Sequence, residues 1–328
     1  MRRRGFLGLT MGTLAAGMVA GRAPRFSTDR TSASGAGNSR TNAVDWNASR
    51  RFASTRFGNI AYAERGSGRA ALFLHGFPLN SFQWRGALDR LAPHRRCVAP
   101  DSLGLGYTQV ADGVSVTPAT QVQMLTSLLD KLSIGSVDLV ANDSGGAVAQ
   151  LFLTRHPNRV RTVLLTNCDV EIDCPPAAVV PVIELAKAGR FADEWLAPWV
   201  ADKNLARSDK GLGGMTFTYP DRLADKTIDV YLGPLVESPQ RKALTNAYAV
   251  GLAPNPLAGT EPLLKRSQVP ARIIWGTGDT IFSQDDAAYL DSRLPRSRGV
   301  RRIEGAKLFF PEEFPDVIAE EARKLWGA

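Results

Sequence analysis

The 328-residue sequence predicts an α/β fold: a mostly parallel sheet flanked by helices, with a helical cap inserted between two of its strands. Two features of the pattern point there. Short apolar runs alternate with segments of helical periodicity, as buried parallel strands and their crossover helices require. From Asp169 to about Gln268 that alternation stops, and helical segments with Pro-marked turns replace it without a convincing strand.

In chain order, residues 70–74 (AALFL) form the first buried strand, ended by His75-Gly76. Residues 97–99 form the next, ended by Pro100-Asp101. Residues 121–132 repeat apolar side chains at helical spacing, 137–141 are a strand, and 147–155 the helix behind it. Residues 160–165, 271–275 and 299–303 supply further strands, and a helix over 314–326 closes the chain. The division that follows is a core built from residues 49–168 and 269–328, with a cap at 169–268.

The first 48 residues read differently. Residues 1–23 join a charged start to an apolar stretch and small residues, the pattern of an export signal, with cleavage after Ala20 or Ala23. Arg3-Arg4-Gly5-Phe6-Leu7 resembles the signal read by the twin-arginine export machinery, which makes that machinery the expected partner of the precursor. The apolar stretch is shorter than the ~20 residues of a spanning helix. Residues 24–48, rich in Ser, Thr, Gly and Asn, are expected as a flexible linker before an exported, periplasmic or secreted domain.

Composition excludes several function classes. The formal charge of +8 is partly N-terminal, where six arginines (Arg2, Arg3, Arg4, Arg22, Arg25, Arg30) face Asp29. The remainder is spread without a basic run or interleaved aromatics, so no nucleic-acid partner is expected. Neither a metal-spaced His/Cys/carboxylate cluster nor a glycine-rich phosphate loop is evident, so no metal or cofactor is expected. Cys97, Cys168 and Cys174 are an odd set, and the last two are candidates for a bridge after export. Oligomeric state leaves no trace in the pattern.

The chemistry gathers at LVANDSGGAVAQ, residues 139–150. A nucleophile elbow needs small residues two before and two or three after the nucleophile, because strand and helix pass very close there. Centred on Asp143, those positions are Ala141, Gly145 and Gly146; centred on Ser144, the residue two before is the bulkier Asn142. Asp143 is therefore the expected elbow residue.

With His75-Gly76-Phe77-Pro78, Ala99-Pro100-Asp101 followed by Gly104 and Gly106, and Trp275-Gly276-Thr277-Gly278-Asp279, the chain resembles the α/β-hydrolase superfamily over roughly residues 56–326. The resemblance is to its haloalkane dehalogenase and epoxide hydrolase side, where the elbow nucleophile is Asp. It implies an α/β-hydrolase fold, and Asp143 attacking an sp³ carbon to form an ester that water cleaves. It implies the amides of Phe77 and Ser144 as the oxyanion hole, with His75 and Gly76 in the loop that carries it, and Asp279 as the acid that orients a histidine. That histidine is missing: Leu308 stands at its place. Dehalogenases of this branch cradle the halide with a Trp after the nucleophile and an Asn in the oxyanion loop; here those positions hold Ser144 and Phe77. Epoxide hydrolases instead use cap tyrosines, for which Tyr231 and Tyr248 are the favoured candidates, with Tyr219 behind them and Trp195 and Trp199 as pocket walls. Three readings follow: a hydrolase of epoxide-like or haloalkane-like small organic substrates with an unusual water-activating group; a non-hydrolytic lyase, isomerase or cyclase using Asp143 as acid or base; or a ligand-binding protein that has lost turnover.

Overall fold

A computed structural model describes residues 42–328. The twin-arginine-like segment and residues 24–41 of the expected linker lie outside the described residues. The end of that stretch is not a linker. Ala43–Ala48 is a helix, begun by Asn42, whose side chain accepts from the amides of Val44 and Asp45. Trp46 is fully buried edge-on against Phe82, and this one large apolar side chain supplies the burial that a Ser/Asn-rich composition conceals.

The described residues form a nine-stranded sheet of order β1-β2-β4-β3-β6-β7-β8-β9, with the short β5 on β2. The strands are β1 (Arg51–Thr55), β2 (Gly58–Arg65), β3 (Ala70–Leu74), β4 (Arg96–Pro100), β5 (Gln109–Val110), β6 (Val137–Asn142), β7 (Val160–Thr166), β8 (Ala271–Gly276) and β9 (Ser297–Ile303). From β4 to β9 neighbours run parallel. Every residue of β3 and β6 is buried, which is why both read as unbroken apolar runs or nearly so. Sequence reasoning missed β1 and β2, an antiparallel hairpin, because β1 buries a single side chain, Ala53.

The chain leaves β3 for β4 on one side and returns to β6 on the other, so the direction of winding reverses between β3 and β6. Open α/β sheets leave a crevice beyond the carboxyl ends of strands at such a reversal. His75–Phe77 and Asp143 emerge there. Between β7 and β8 lies a run of helices, among them Val180–Lys187, Asp225–Val236 and Pro239–Val250. They are fastened to the core by Asn80 Nδ2 donating to the Val230 carbonyl (2.8 Å) and by Arg241 donating to the carbonyls of Thr108 (2.8 Å) and Gly106. The Phe309 amide adds a bond to the Thr216 carbonyl (2.9 Å). All three cysteines are free, so the Cys168–Cys174 bridge is not formed.

Candidate active site

Asp143 sits between β6 and the helix Ser144–Arg155 with φ 55° and ψ −134°. A non-glycine residue held there costs on the order of 1–3 kcal/mol, and persists only where its surroundings fix it. They do so through close packing. A Cβ on Gly145 would lie 2.5 Å from the His75 carbonyl oxygen, and one on Gly146 2.3 Å from Cys168 Cβ. Gly76 faces the same limit from the opposite loop, where a Cβ would stand 2.7 Å from Asp143 Cβ. The strained position falls on Asp143 and not on Ser144, as the small-residue spacing predicts.

The carboxylate of Asp143 is nearly buried, with Oδ1 accepting from the Phe77 amide at 2.7 Å. Burial pushes its pKa up, against the opposing pull of the Ser144 and Phe77 amides. Two amides expected as an oxyanion hole therefore already converge on this carboxyl group. The Phe77 loop is held by buried amide side chains. Gln83 Oε1 accepts from the Gly76 amide (3.0 Å), and Gln83 Nε2 donates to Asn142 Oδ1 (2.6 Å). Asn142 Nδ2 in turn faces the carbonyls of Thr166, Asn167 and Leu308, each at 3.2 Å. Neither Gln83 nor Asn142 was recognisable as a strut, since a buried amide at an element end reads as a polar loop.

His75 is fully buried. Nδ1 donates to the Gly76 carbonyl (2.9 Å) and Nε2 accepts from the Ser102 amide (3.0 Å). Desolvation lowers its pKa, so it is a neutral brace for the loop that carries Phe77. Leu308 is buried in the cavity wall with its backbone held by Asn142. The loop that should carry an imidazole is thus in place, with an aliphatic side chain on it.

In front of Asp143 lies a cavity of about 200 Å³, walled mostly by apolar side chains including Phe77, Trp195, Trp199, Phe282 and Leu308. Ser144 also lines it, and its Oγ is 3.1 Å from the Tyr248 hydroxyl, while the Tyr248 ring stacks flat on Phe77. Tyr248 thus belongs to the site through Ser144 and Phe77. Tyr231 does not. It is fully buried against Phe82, with its hydroxyl donating to Glu312, which also pairs with Arg85 at 2.6 Å. That makes Tyr231 part of a buried cap-to-core tie, a correction to its expected substrate contact. Glu313, in the same short helix Phe310–Glu313 as Glu312, is equally committed: its carboxylate accepts from the amides of Thr218 and Tyr219. Tyr219 lies at the cap's exposed edge.

Asp279 follows β8. Its Oδ2 accepts from Asn167 Nδ2 (2.7 Å) and its Oδ1 from the Ile281 amide (2.9 Å). Burial is the main cause of a pKa near 6. Asp279 is not among the residues lining the cavity. Asp169, just beyond β7, is. Sequence reasoning treated it as no more than the start of the cap, yet it is buried, and its carboxyl accepts a weak bond from Cys174 Sγ (3.4 Å). Burial and then the charge of Asp143 push it up to about 7.

Residues 71–314 match the family model described as alpha/beta hydrolase fold. A haloalkane dehalogenase of Agrobacterium fabrum is 34% identical over 46% of this chain and 53% of its own length. Haloalkane dehalogenase 2 of Mycobacterium tuberculosis is 27% identical over 85% of this chain and 95% of its own. For several other curated relatives the match spans between 33% and 38% of their length. An alpha/beta hydrolase fold protein from Burkholderia ambifaria superposes with a TM-score of 0.72 at 22% identity, covering 84% of this chain and 97% of that one, a likeness of fold.

Proposed function

The chain belongs to the α/β hydrolase fold family, on its haloalkane dehalogenase-like side, and from that premise we propose that it is an exported hydrolase using Asp143 as nucleophile on a small apolar electrophile with an oxygen leaving group, an epoxide in the first instance. One observation carries the reading: a carboxylate held at a strained elbow, with one oxygen on the Phe77 amide, facing an apolar cavity. The Phe77 amide fixes Oδ1, and the other carboxylate oxygen is the one assigned to attack on carbon. Once the ester forms, the amides of Phe77 and Ser144 face the oxygen that becomes negative when water adds. The preference for oxygen over halide rests on what surrounds the leaving group. Where dehalogenases place Trp and Asn, this chain has the Ser144–Tyr248 hydroxyl pair and Phe77. Hydroxyls suit a developing alkoxide. A second reading, rearrangement without hydrolysis, is favoured by Leu308, which leaves no imidazole to activate water.

The test is incubation with terminal epoxides in ¹⁸O-labelled water, followed by mass analysis of the product and of the Asp143 peptide. Hydrolysis gives a labelled diol, and an ester on Asp143 when the reaction is quenched early. Unlabelled, rearranged product supports the second reading. Neither product nor adduct overturns both. Export is proposed from Arg3-Arg4-Gly5-Phe6-Leu7; replacing both arginines by lysine should hold the precursor in the cytoplasm, and unchanged fractionation would refute it.

A further inference from the structure

A carboxylate ester on Asp143 is stable until something takes a proton from water, and the usual imidazole is replaced by Leu308. The acids around the cavity are not equally free to act. Both oxygens of Asp279 are occupied by Asn167 and the Ile281 amide. Glu312 is held by Arg85 and Tyr231, and Glu313 by two backbone amides. Asp169 differs on both counts, since it lines the same cavity as Asp143 and its carboxyl accepts a weak thiol hydrogen bond.

We propose that Asp169 is the acid–base partner of Asp143, carrying in one carboxyl group the proton that opens the substrate and the base that then activates water. The proposal rests on the reading of Asp143 as nucleophile. The groups set against Asp169 are Asp143 from the elbow, Cys174 and Asp173 from its own loop, Cys168 beneath it and Tyr248 from the cap. None of these is a cation. Two buried carboxyls in that setting resist ionising together, so one carries a proton while the other is charged. With Asp169 raised to about 7, both its protonated and its ionised forms are present near neutrality, the first able to give a proton and the second to take one.

The proton balance closes. Asp143 attacks the epoxide carbon, the carbon–oxygen bond breaks, and the ring oxygen takes the proton of Asp169. Asp169, now a carboxylate, removes a proton from water as the hydroxide adds to the ester carbonyl. The tetrahedral adduct collapses, the departing alkoxide takes the proton of the new carboxylic acid, and diol leaves with Asp143 ionised and Asp169 again protonated. One water is consumed and no other reactant is needed.

The full chain and its Asp169→Asn and Asp169→Glu variants test this against two probes, styrene oxide and benzyl bromide, whose bromide leaves without a proton. Asp169→Asn is expected to lower styrene oxide turnover by about 10²–10⁴-fold and to abolish the wild-type pH limb near 7. With benzyl bromide it should release a single equivalent of bromide and retain a stable ester on the Asp143 peptide. Asp169→Glu should restore part of the turnover together with a pH limb. Asp169→Asn turning over at the wild-type rate with the wild-type pH limb overturns the proposal and leaves the nucleophile untouched. Wild-type turnover that persists in Asp143→Asn, with no ester in any variant, removes the nucleophile reading and the proposal with it.

Discussion

Replacing Asp169 by Asn should make the protein more stable at alkaline pH and leave it nearly unchanged in acid. Burial, and then the neighbouring charge of Asp143, raise this carboxyl from 3.8 to about 7. Between those values the folded chain holds a proton that the unfolded chain has released. Stability is therefore lost as pH rises from about 4 to about 7, and the penalty stays constant above that. A gap of about three units at about 1.4 kcal/mol each puts the penalty on the order of 4 kcal/mol at pH 8. Asn has the shape of the protonated acid, still accepts from the Cys174 thiol and cannot ionise. Calorimetric melting at pH 4, 6 and 8 is the assay. Relative to wild type, the variant should gain little at pH 4 and most at pH 8, where roughly 2 °C per kcal/mol gives a rise of several degrees. A variant no more stable than wild type at pH 8 would falsify the argument that Asp169 is ionised there against an unfavourable, cation-free surrounding.

Four further outcomes follow from the same geometry. Asp143→Gly removes the left-handed strain at φ 55° and a buried carboxyl, and should gain on the order of 1 kcal/mol in urea unfolding while losing every trace of ester formation. Gly146→Ala places a Cβ 2.3 Å from Cys168 Cβ and should cost roughly 1–3 kcal/mol, with partial recovery in Gly146→Ala/Cys168→Gly. Glu312→Ala strands Arg85 and Tyr231, which should cost about 3–5 kcal/mol as for other broken buried pairs, read by denaturant titration. Leu308→His in the Asp169→Asn background should shorten the life of a benzyl ester on Asp143 by at least about tenfold; an ester equally long-lived in both shows that the loop does not aim residue 308 at the acyl carbon.

What the sequence disclosed was local. β3 and β6 could be read because strands buried on both faces are apolar along their length, and Asp143 because the elbow's demand for small neighbours is met between Ala141 and Gly146. The hairpin β1–β2 escaped because β1 shows one buried side chain, and the helix Ala43–Ala48 because Trp46 is its one apolar anchor in the core. Among the cap tyrosines, Tyr248 meets Ser144 while Tyr231 turns toward Glu312, and that choice depends on a partner 81 residues away. Asp169, Asn142 and Gln83 look like loop polarity in one dimension. Their importance comes from being shut away from water, which composition does not report.

The strip of chain from Lys307 to Glu313 is stitched to the cap: the Lys307 amide to Thr218 Oγ1, the Phe309 amide to the Thr216 carbonyl, and Glu313 to the amides of Thr218 and Tyr219. Roof and rear wall therefore travel as one piece. Any tilt that admits a guest drags Leu308 with it, so the chamber changes outline as well as entrance size whenever it opens. Grafting helices from a relative onto this body would tear the seam, unless the donor segment brought its own version of residues 216–219.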